Sequence, residues 1–266
     1  MTADRYDRYT SILAGAEAIA ADAASTLTAM QRGALNVSRK SLRDVVTEAD
    51  LASEASVMRG IRALTPGAAI LSEEAGASGS DSGERWIVDP LDGTVNYAAG
   101  LPWFSVTLAY QEDGITRVGV THAPAAQVIA RYAEGSVATV NGRTARVSGR
   151  DALADAVVSI VLTSHFTDAE VARTSDAVRR LGGKVRGVRI IVSGGLEMTL
   201  VADGQLDAFV SLKADAVSHA AAMPLVRAAG GRVTRLDGRD ATDDDIERIV
   251  SNGLIHDALL HCLAGV

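Results

Sequence analysis

Apolar residues recur along the first third of the chain at two different spacings. At 5–32 and 47–64 they return every three or four positions, which predicts two amphipathic helices. At 68–72 and 85–89 they form short runs instead, and the second run, RWIVD, is typical of a buried strand. We therefore expect two long helices followed by strands.

The pattern changes again near residue 150. Residues 103–140 contain four alternating segments separated by turn residues, which predicts an antiparallel meander. Strands and helices alternate after that point and continue to the end of the chain. We expect a mixed α/β fold with an N-terminal part over residues 1–150 and a C-terminal part over 151–266, without a linker of Pro, Gly or Ser between them.

Composition narrows the functional classes. The chain has a net charge of -7 at pH 7 and no long basic run, so we expect no nucleic acid partner. Cys262 is the single cysteine, which excludes an intrachain disulfide framework and indicates a cytoplasmic protein. No apolar run reaches the length of about 18 residues that a membrane-spanning helix needs, so we expect no membrane partner.

The segment IVDPLDGTVNY places two carboxylates, Asp89 and Asp92, where the predicted strand RWIVD ends. Mg²⁺ is usually bound by one or two carboxylates, with waters and phosphate oxygens completing its shell. The carbonyl of Leu91 could join these ligands, and Gly93 and Thr94 could offer backbone N–H groups to an anion. An ordinary Asp-Gly turn uses the same residues, so the segment alone leaves both interpretations open.

Other segments of the chain strengthen the metal-binding interpretation. RDVVTEAD and ILSEEAG precede the acidic segment, and LVADGQLDAFV, RAAGGRVT and IVSNGLIHDALL follow it in that order. Together they resemble the inositol monophosphatase family of Mg²⁺-dependent, lithium-sensitive phosphatases over almost the whole chain. The resemblance implies a layered αβαβα fold and a phosphomonoesterase that acts on a small phosphorylated metabolite. It also implies two or three Mg²⁺ ions and a homodimer.

The resemblance assigns metal ligands by position. Glu73, Asp89 and the carbonyl of Leu91 would hold the first Mg²⁺. Asp89 would bridge to a second Mg²⁺, which Asp92 would also contact.

The resemblance assigns the reacting groups in the same way. Thr94, oriented by Asp50, would help Glu73 to position and activate the attacking water. The N–H groups of Gly93 and Thr94 would bind the phosphate. Ser193 lies where family members often place a hydroxyl that faces the substrate, although it could equally cap the helix that follows.

The second signature of the family is incomplete. An ungapped count back from AAGG at 228–231 places Ser218 where the family carries a metal-binding Asp, so Ser218 becomes a substrate-side residue and an expected helix cap. Asp215 could supply the missing oxygen, or the second metal could be weak and completed by water and substrate. Alternatively, the protein could be a catalytically silent member that serves as a binding or regulatory subunit. Helical geometry directs His219 away from Ser218, so His219 is not expected to bind metal.

A further departure concerns substrate specificity. Ser211 lies where inositol-cleaving members carry a Glu that contacts substrate hydroxyls. This argues against myo-inositol monophosphate as the dedicated substrate and leaves sugar, cyclitol, amino-alcohol and nucleotide phosphates open. Arg186 and Arg189 are candidates for contacting a second anionic group.

Overall fold

The chain begins with two long helices that pack against each other. The computed structural model describes residues 3–31, 37–39, 45–79, 83–163, 165–213 and 216–266. Helix α1 (Ala3–Gln31) is followed by a hairpin of β1 (Val37–Arg39) and β2 (Val45–Thr47), and then by helix α2 (Glu48–Leu64). Both predicted helices are confirmed. Gly15 and Gly60 let α1 and α2 approach closely, because a Cβ on Gly15 would lie 2.6 Å from the Leu64 side chain and one on Gly60 would lie 2.5 Å from Ile19.

An eight-stranded sheet follows, in the spatial order β10-β9-β8-β7-β6-β5-β3-β4. Its strands are β3 (Ala69–Ser72), β4 (Gly76–Ser78), β5 (Glu84–Asp92), β6 (Ser105–Glu112), β7 (Ile115–Ala123), β8 (Val128–Ala133), β9 (Thr139–Val140) and β10 (Arg143–Thr144). The predicted meander is confirmed, because β6 to β9 pair in sequence as antiparallel neighbours. Strands β3 and β5 are the one parallel pair described in this sheet.

Strand β5 does not end at Asp89 as the sequence predicts. It continues to Asp92, and its register with β6 shifts between the pairs Asp89–Thr107 and Asp92–Ser105. One extra residue on β5 makes this segment a bulge, where Pro90 is tolerated because the ladder is already interrupted. Gly93 then reverses the chain with φ 90°, and a Cβ there would lie 2.7 Å from the carbonyl oxygen of Trp103.

The C-terminal part forms a five-stranded mixed sheet in the order β12-β11-β13-β15-β14. Its strands are β11 (Val157–Ile160), β12 (Gly187–Arg189), β13 (Ala208–Ser211), β14 (Arg232–Thr234) and β15 (Arg248–Ser251). The helices around it, which follow the short α3 (Thr94–Ala98), are α4 (Asp168–Gly182), α5 (Gly194–Ala202), α6 (Ala216–His219), α7 (Ala222–Ala228) and α8 (His256–Leu263).

The helix predicted to begin at Ser218 is divided into two. Ser218 lies inside α6 rather than at a helix start, so the prediction that it caps a helix was wrong. Helix α7 has Ala221 at its N-cap position and makes no side-chain cap there. The hydroxyl of Ser218 instead has a charged acceptor in Asp89.

The elements stack in five layers. Helices α1 and α2 cover one face of the eight-stranded sheet, and α5 and α7 lie between the two large sheets. Helices α4 and α8 pack together beside the five-stranded sheet, completing the αβαβα arrangement. Residue 150 falls between the last strand of one large sheet and the first strand of the other. None of the helices in the described ranges is long and apolar enough to span a membrane.

Candidate active site

A cavity of about 390 Å³ lies where the bulged end of β5 meets α5 and α6. Most of the residues predicted for the site line it. They are Glu73, Asp89, Leu91, Asp92, Gly93, Thr94, Ser211 and Ser218. Asp50 and Ser193 stand behind the wall, where they are hydrogen-bonded to Thr94 and Asp92 respectively. Asp215 lies outside the described residues.

Glu73 and Asp89 are neighbours because each is the next residue after a paired position on two adjacent parallel strands. Ser72 of β3 pairs with Val88 of β5, and the N–H of Glu73 donates to the Val88 carbonyl at 3.2 Å. Asp89 is buried, and its Oδ1 accepts from the N–H of Leu91 at 3.0 Å. Two carboxylates and a main-chain carbonyl are therefore assembled at one corner of the cavity.

Thr94 is held by two acceptors. Its Oγ lies 3.0 Å from Oδ1 of Asp50 and 3.1 Å from the carbonyl oxygen of Leu91. A hydroxyl has one proton, so Thr94 donates to one of these oxygens and keeps its lone pairs for a group in the cavity. Asp50 is itself buried in the first turn of α2, where the helix dipole favours a negative charge.

Asp92 links the end of β5 to the start of α5 through hydrogen bonds. Its Oδ2 accepts from Ser105 Oγ at 2.9 Å, from Ser193 Oγ at 2.7 Å and from Gly195 N–H at 3.0 Å. Its Oδ1 accepts from the N–H of Gly194 at 3.1 Å. Asp92 thus caps α5, whereas the hydroxyl of Ser193 makes no cap hydrogen bond.

The chain leading into α5 is strained and polar. Strand β12 ends at Arg189, and beyond it Asn96 Nδ2 donates to the Ile191 carbonyl at 2.7 Å and holds this segment over the acidic turn. Val192 adopts φ 63°, which is costly for a β-branched residue. Behind it, Glu197 is fully buried and is bonded to the Ser159 hydroxyl, and burial raises the pKa of Glu197 to about 7.

The donor chemistry at this corner fits one hard cation better than two. Glu73, Asp89 and the carbonyl of Leu91 are oxygen ligands of the kind that Mg²⁺ prefers. Asp92 already accepts four hydrogen bonds, and Ser218 contributes a neutral hydroxyl that donates to Asp89. Within the described ranges, no group of three or more His, Cys, Asp or Glu side chains is arranged to hold a metal ion as it stands.

The sequence pattern did not predict that His219 lines the cavity and accepts a hydrogen bond from Arg248. It lines the cavity together with Ser218, so the expectation that it points elsewhere was wrong, since α6 is only four residues long. The Nη1 of Arg248 donates to Nδ1 of His219 at 2.8 Å. The signal for this contact was Arg248 itself, because an arginine in an apolar strand needs a buried acceptor. Arg186 instead pairs with Asp155.

Comparisons with known proteins agree with this architecture. The model of the "Inositol monophosphatase family" matches residues 8–264. The chain is 37% identical over 227 residues to a fructose-1,6-bisphosphatase/inositol-1-monophosphatase of Thermotoga maritima, covering 85% of each protein. It is 36% identical over 252 residues to a histidinol-phosphatase of Mycobacterium tuberculosis, covering 90% of this chain and 93% of that one.

A solved structure, the extragenic suppressor protein suhB of Bartonella henselae, superposes with a TM-score of 0.90 at 29% identity, over 96% of this chain and 99% of that one. The family match extends over nearly the whole chain and includes every segment that builds the cavity. The chain therefore belongs to the inositol monophosphatase family of phosphoric monoester hydrolases.

Proposed function

We propose that this protein is a Mg²⁺-dependent phosphomonoesterase that hydrolyses a small, polar phosphorylated metabolite. The observation that supports the proposal best is the meeting of Glu73, Asp89, Leu91 and Thr94 at one cavity, with Thr94 bonded to Asp50 at 3.0 Å. Family membership supports the reaction class, and the acidic corner supports the dependence on a metal.

Glu73, Asp89 and the carbonyl of Leu91 would hold one Mg²⁺. Asp92 would contribute to a second, weaker site that water and the substrate complete. Bound Mg²⁺ offsets the charge of the phosphate oxygens and makes a coordinated water more acidic. Because Ser218 is neutral, we propose that the second site fills at a higher Mg²⁺ concentration than the first.

The protein's own groups would direct the attacking water. Thr94 donates its hydroxyl hydrogen bond to Asp50 or to the Leu91 carbonyl, so its lone pair can accept a hydrogen bond from that water. Glu73 would then take the proton as the general base. The N–H groups of Gly93 and Thr94, at the reversal after β5, would bind phosphate oxygens and hold the ester in line with the water.

The substrate belongs to a group of related phosphates. Relatives are named for fructose-1,6-bisphosphate, inositol 1-phosphate and histidinol phosphate. Sugar, cyclitol, amino-alcohol and nucleotide phosphates therefore all remain candidates, and the uncharged Ser211 disfavours myo-inositol monophosphate. We also propose that the protein acts as a homodimer.

Phosphate release from a panel of these esters, titrated with Mg²⁺, tests the proposal. Asp89→Asn should reduce the rate by at least about a hundredfold, because it weakens both proposed metal sites. Asp257→Asn is the matched control, since Asp257 is an exposed carboxylate on α8. An unchanged rate in Asp89→Asn would overturn the metal assignment.

The bond from Ser218 to Asp89 favours one competing interpretation, that of a catalytically silent binding or regulatory subunit. Silence of the native protein across the panel at every Mg²⁺ concentration, with phosphate released by Ser218→Asp, would establish that interpretation instead.

A further inference from the structure

A polar cluster at the cavity wall, built from the five-stranded sheet and α6, is not used by the proposed mechanism. Ser211 and Arg248 are direct partners on the antiparallel strands β13 and β15. Opposed residues project from the same face of a sheet, so these side chains are neighbours. Arg248 also donates to His219, whose ring packs edge-on against Phe209 with the ring centroids 5.3 Å apart. We call Ser211, His219 and Arg248 the Ser-His-Arg cluster.

Arg248 fixes the tautomer of His219. A guanidinium group can only donate, so Nδ1 of His219 must accept and the ring proton must sit on Nε2. Burial and the charge of Arg248 accordingly hold the pKa of His219 well below its ordinary value. Nε2 lies beside Gly194, where an added Cβ would be only 2.3 Å away. His219 therefore offers the cavity an uncharged N–H donor.

Ser211 provides a second polar group on the same wall. Its side chain is fully buried, and its hydroxyl makes no hydrogen bond with any described residue. A buried hydroxyl without a partner costs about 1–3 kcal/mol. A ligand in the cavity can supply the missing partner, so part of that cost is recovered when the ligand binds.

The donors on this wall favour a negatively charged oxygen group. Arg248 is fully buried and permanently charged behind the cavity lining, and it acts on the cavity through its hydrogen bond to His219. Lys213 lines the same cavity, with its ammonium 5.8 Å from the centroid of the Phe166 ring and 3.1 Å from Glu170. Four carboxylates also line the cavity, with Asp89 and Asp92 on β5 and Glu73 and Glu74 directly after β3, and a bound Mg²⁺ would offset the charge of its proposed ligands among them.

We propose that Ser211 and His219 bind an anionic oxygen group of the substrate, a carboxylate or a second phosphate, other than the phosphate that is hydrolysed. This inference rests on the proposed function and narrows its substrate class. Phosphomonoesters with a second anionic group are preferred over esters that carry only hydroxyls or an ammonium group. Arg248 is a positioning residue that acts through His219.

Three substitutions test binding of the second anionic group without disrupting the fold. His219→Asn keeps an acceptor near Nδ1 for Arg248 but removes the Nε2 donor, whereas His219→Gln places an amide donor near Nε2. Ser211→Ala removes a hydroxyl that has no described partner, so the variant should fold normally. Each of these variants is compared with the native protein at the same saturating Mg²⁺ concentration.

Phosphate release is measured for two matched pairs of substrates. The first pair is glycerol 3-phosphate and 3-phosphoglycerate, which differ by a carboxylate; the second is fructose 6-phosphate and fructose 1,6-bisphosphate, which differ by a phosphate. The ratio of kcat/KM within a pair cancels any loss of folded protein. The native ratio should favour the doubly anionic member of at least one pair, and that pair identifies the second group. His219→Asn and Ser211→Ala should each lower the ratio about tenfold, mainly through KM, and His219→Gln should restore part of it.

Nuclear magnetic resonance of protein labelled with ¹⁵N-histidine provides a readout that does not need turnover. The Nε2–H signal of His219 should shift with the doubly anionic member of the preferred pair but not with its partner, and Arg248→Lys should alter that signal. Phosphate release with an unchanged ratio in His219→Asn and Ser211→Ala would overturn this inference and leave the proposed function intact. A selective shift of the signal without any phosphate release would overturn the proposed function and support this inference.

Discussion

The hydroxyl of Ser218 donates a 2.9 Å hydrogen bond to Oδ2 of Asp89, across the boundary between the two parts of the molecule. A neutral donor thus lies against the buried carboxylate, at a position where the family resemblance predicts a second carboxylate. The bond gives one oxygen of Asp89 a hydrogen-bond donor from the protein itself. We therefore expect the proposed dependence on Mg²⁺ to change with the identity of residue 218.

Ser218→Asp should make folding stability more dependent on Mg²⁺. Two carboxylates about 3 Å apart repel each other in a buried site unless a cation lies between them. The melting temperature of the variant should be lower than that of the native protein in chelator and should rise more steeply with added Mg²⁺. Ser218→Ala serves as the control, since it loses the hydrogen bond without adding charge. Equal Mg²⁺ responses in Ser218→Asp and the native protein would contradict the expectation.

Asp92→Asn should destabilise the protein by about 2–4 kcal/mol even in chelator. The amide nitrogen cannot accept, so at least one donor among Ser105, Ser193, Gly194 and Gly195 loses its partner in a buried site. Urea unfolding of the metal-free protein measures this cost. The exposed Asp257→Asn should shift the free energy of unfolding by less than about 0.5 kcal/mol. A cost for Asp92→Asn as small as that of the control would show that the four hydrogen bonds contribute little.

His256 should contribute a loss of stability as the pH decreases from about 6.5 toward 4, because its ring is buried in the neutral form. Its ring is bonded to Thr234 and Ser251, and burial, followed by the charge of Arg232, lowers the pKa of His256 to about 4. Over this interval the unfolded chain binds a proton that the native ring does not, so acid favours unfolding. The contribution of His256 should approach about 3 kcal/mol and then level off below pH 4. Buried His219 adds to this loss, whereas Glu197, whose pKa is raised to about 7, opposes it because its native carboxyl binds a proton that the unfolded chain releases.

Urea midpoints measured from pH 4 to pH 8 test this dependence. His256→Asn should remove about 3 kcal/mol of acid-induced loss between pH 6.5 and 4, whatever its effect on stability at pH 7, while Glu197 and His219 keep their own contributions. His261→Asn, on the exposed side of the same helix, should leave the slope unchanged. A slope in His256→Asn equal to that of the native protein would assign the acid sensitivity to other groups.

Val192→Gly should stabilise the protein by about 1 kcal/mol, because glycine adopts φ 63° without the steric cost that a β-branched residue bears. Val161→Gly is the matched control, since Val161 lines the same cavity and is not among the described residues with positive φ. The control should be destabilised. If both variants lose stability equally, the strain at Val192 is negligible.

Periodicity was sufficient to predict the two long helices and the meander. The two long helices and the meander follow from spacings that local sequence determines, and the position of Glu73 and Asp89 at one sheet edge follows from the strands that precede them. The continuation of β5 through Pro90 could not be predicted, because the bulge depends on how β6 pairs with it. The contact of His219 with Arg248 likewise depends on the register of β13 and β15, which no local pattern specifies.

The hydrogen bonds from the start of α5 to Asp92 determine what happens when the chain is divided into two fragments. The proposed metal ligands all lie before residue 93, yet three of the four donors to Asp92 come from residues 101 to 103 positions later. A fragment ending near residue 150 would keep the acidic segments intact and leave Asp92 with Ser105 alone among those four donors. Two fragments divided there and expressed separately should therefore be inactive alone and regain phosphate release on mixing, so that enzymatic turnover would report the reassociation of the two parts.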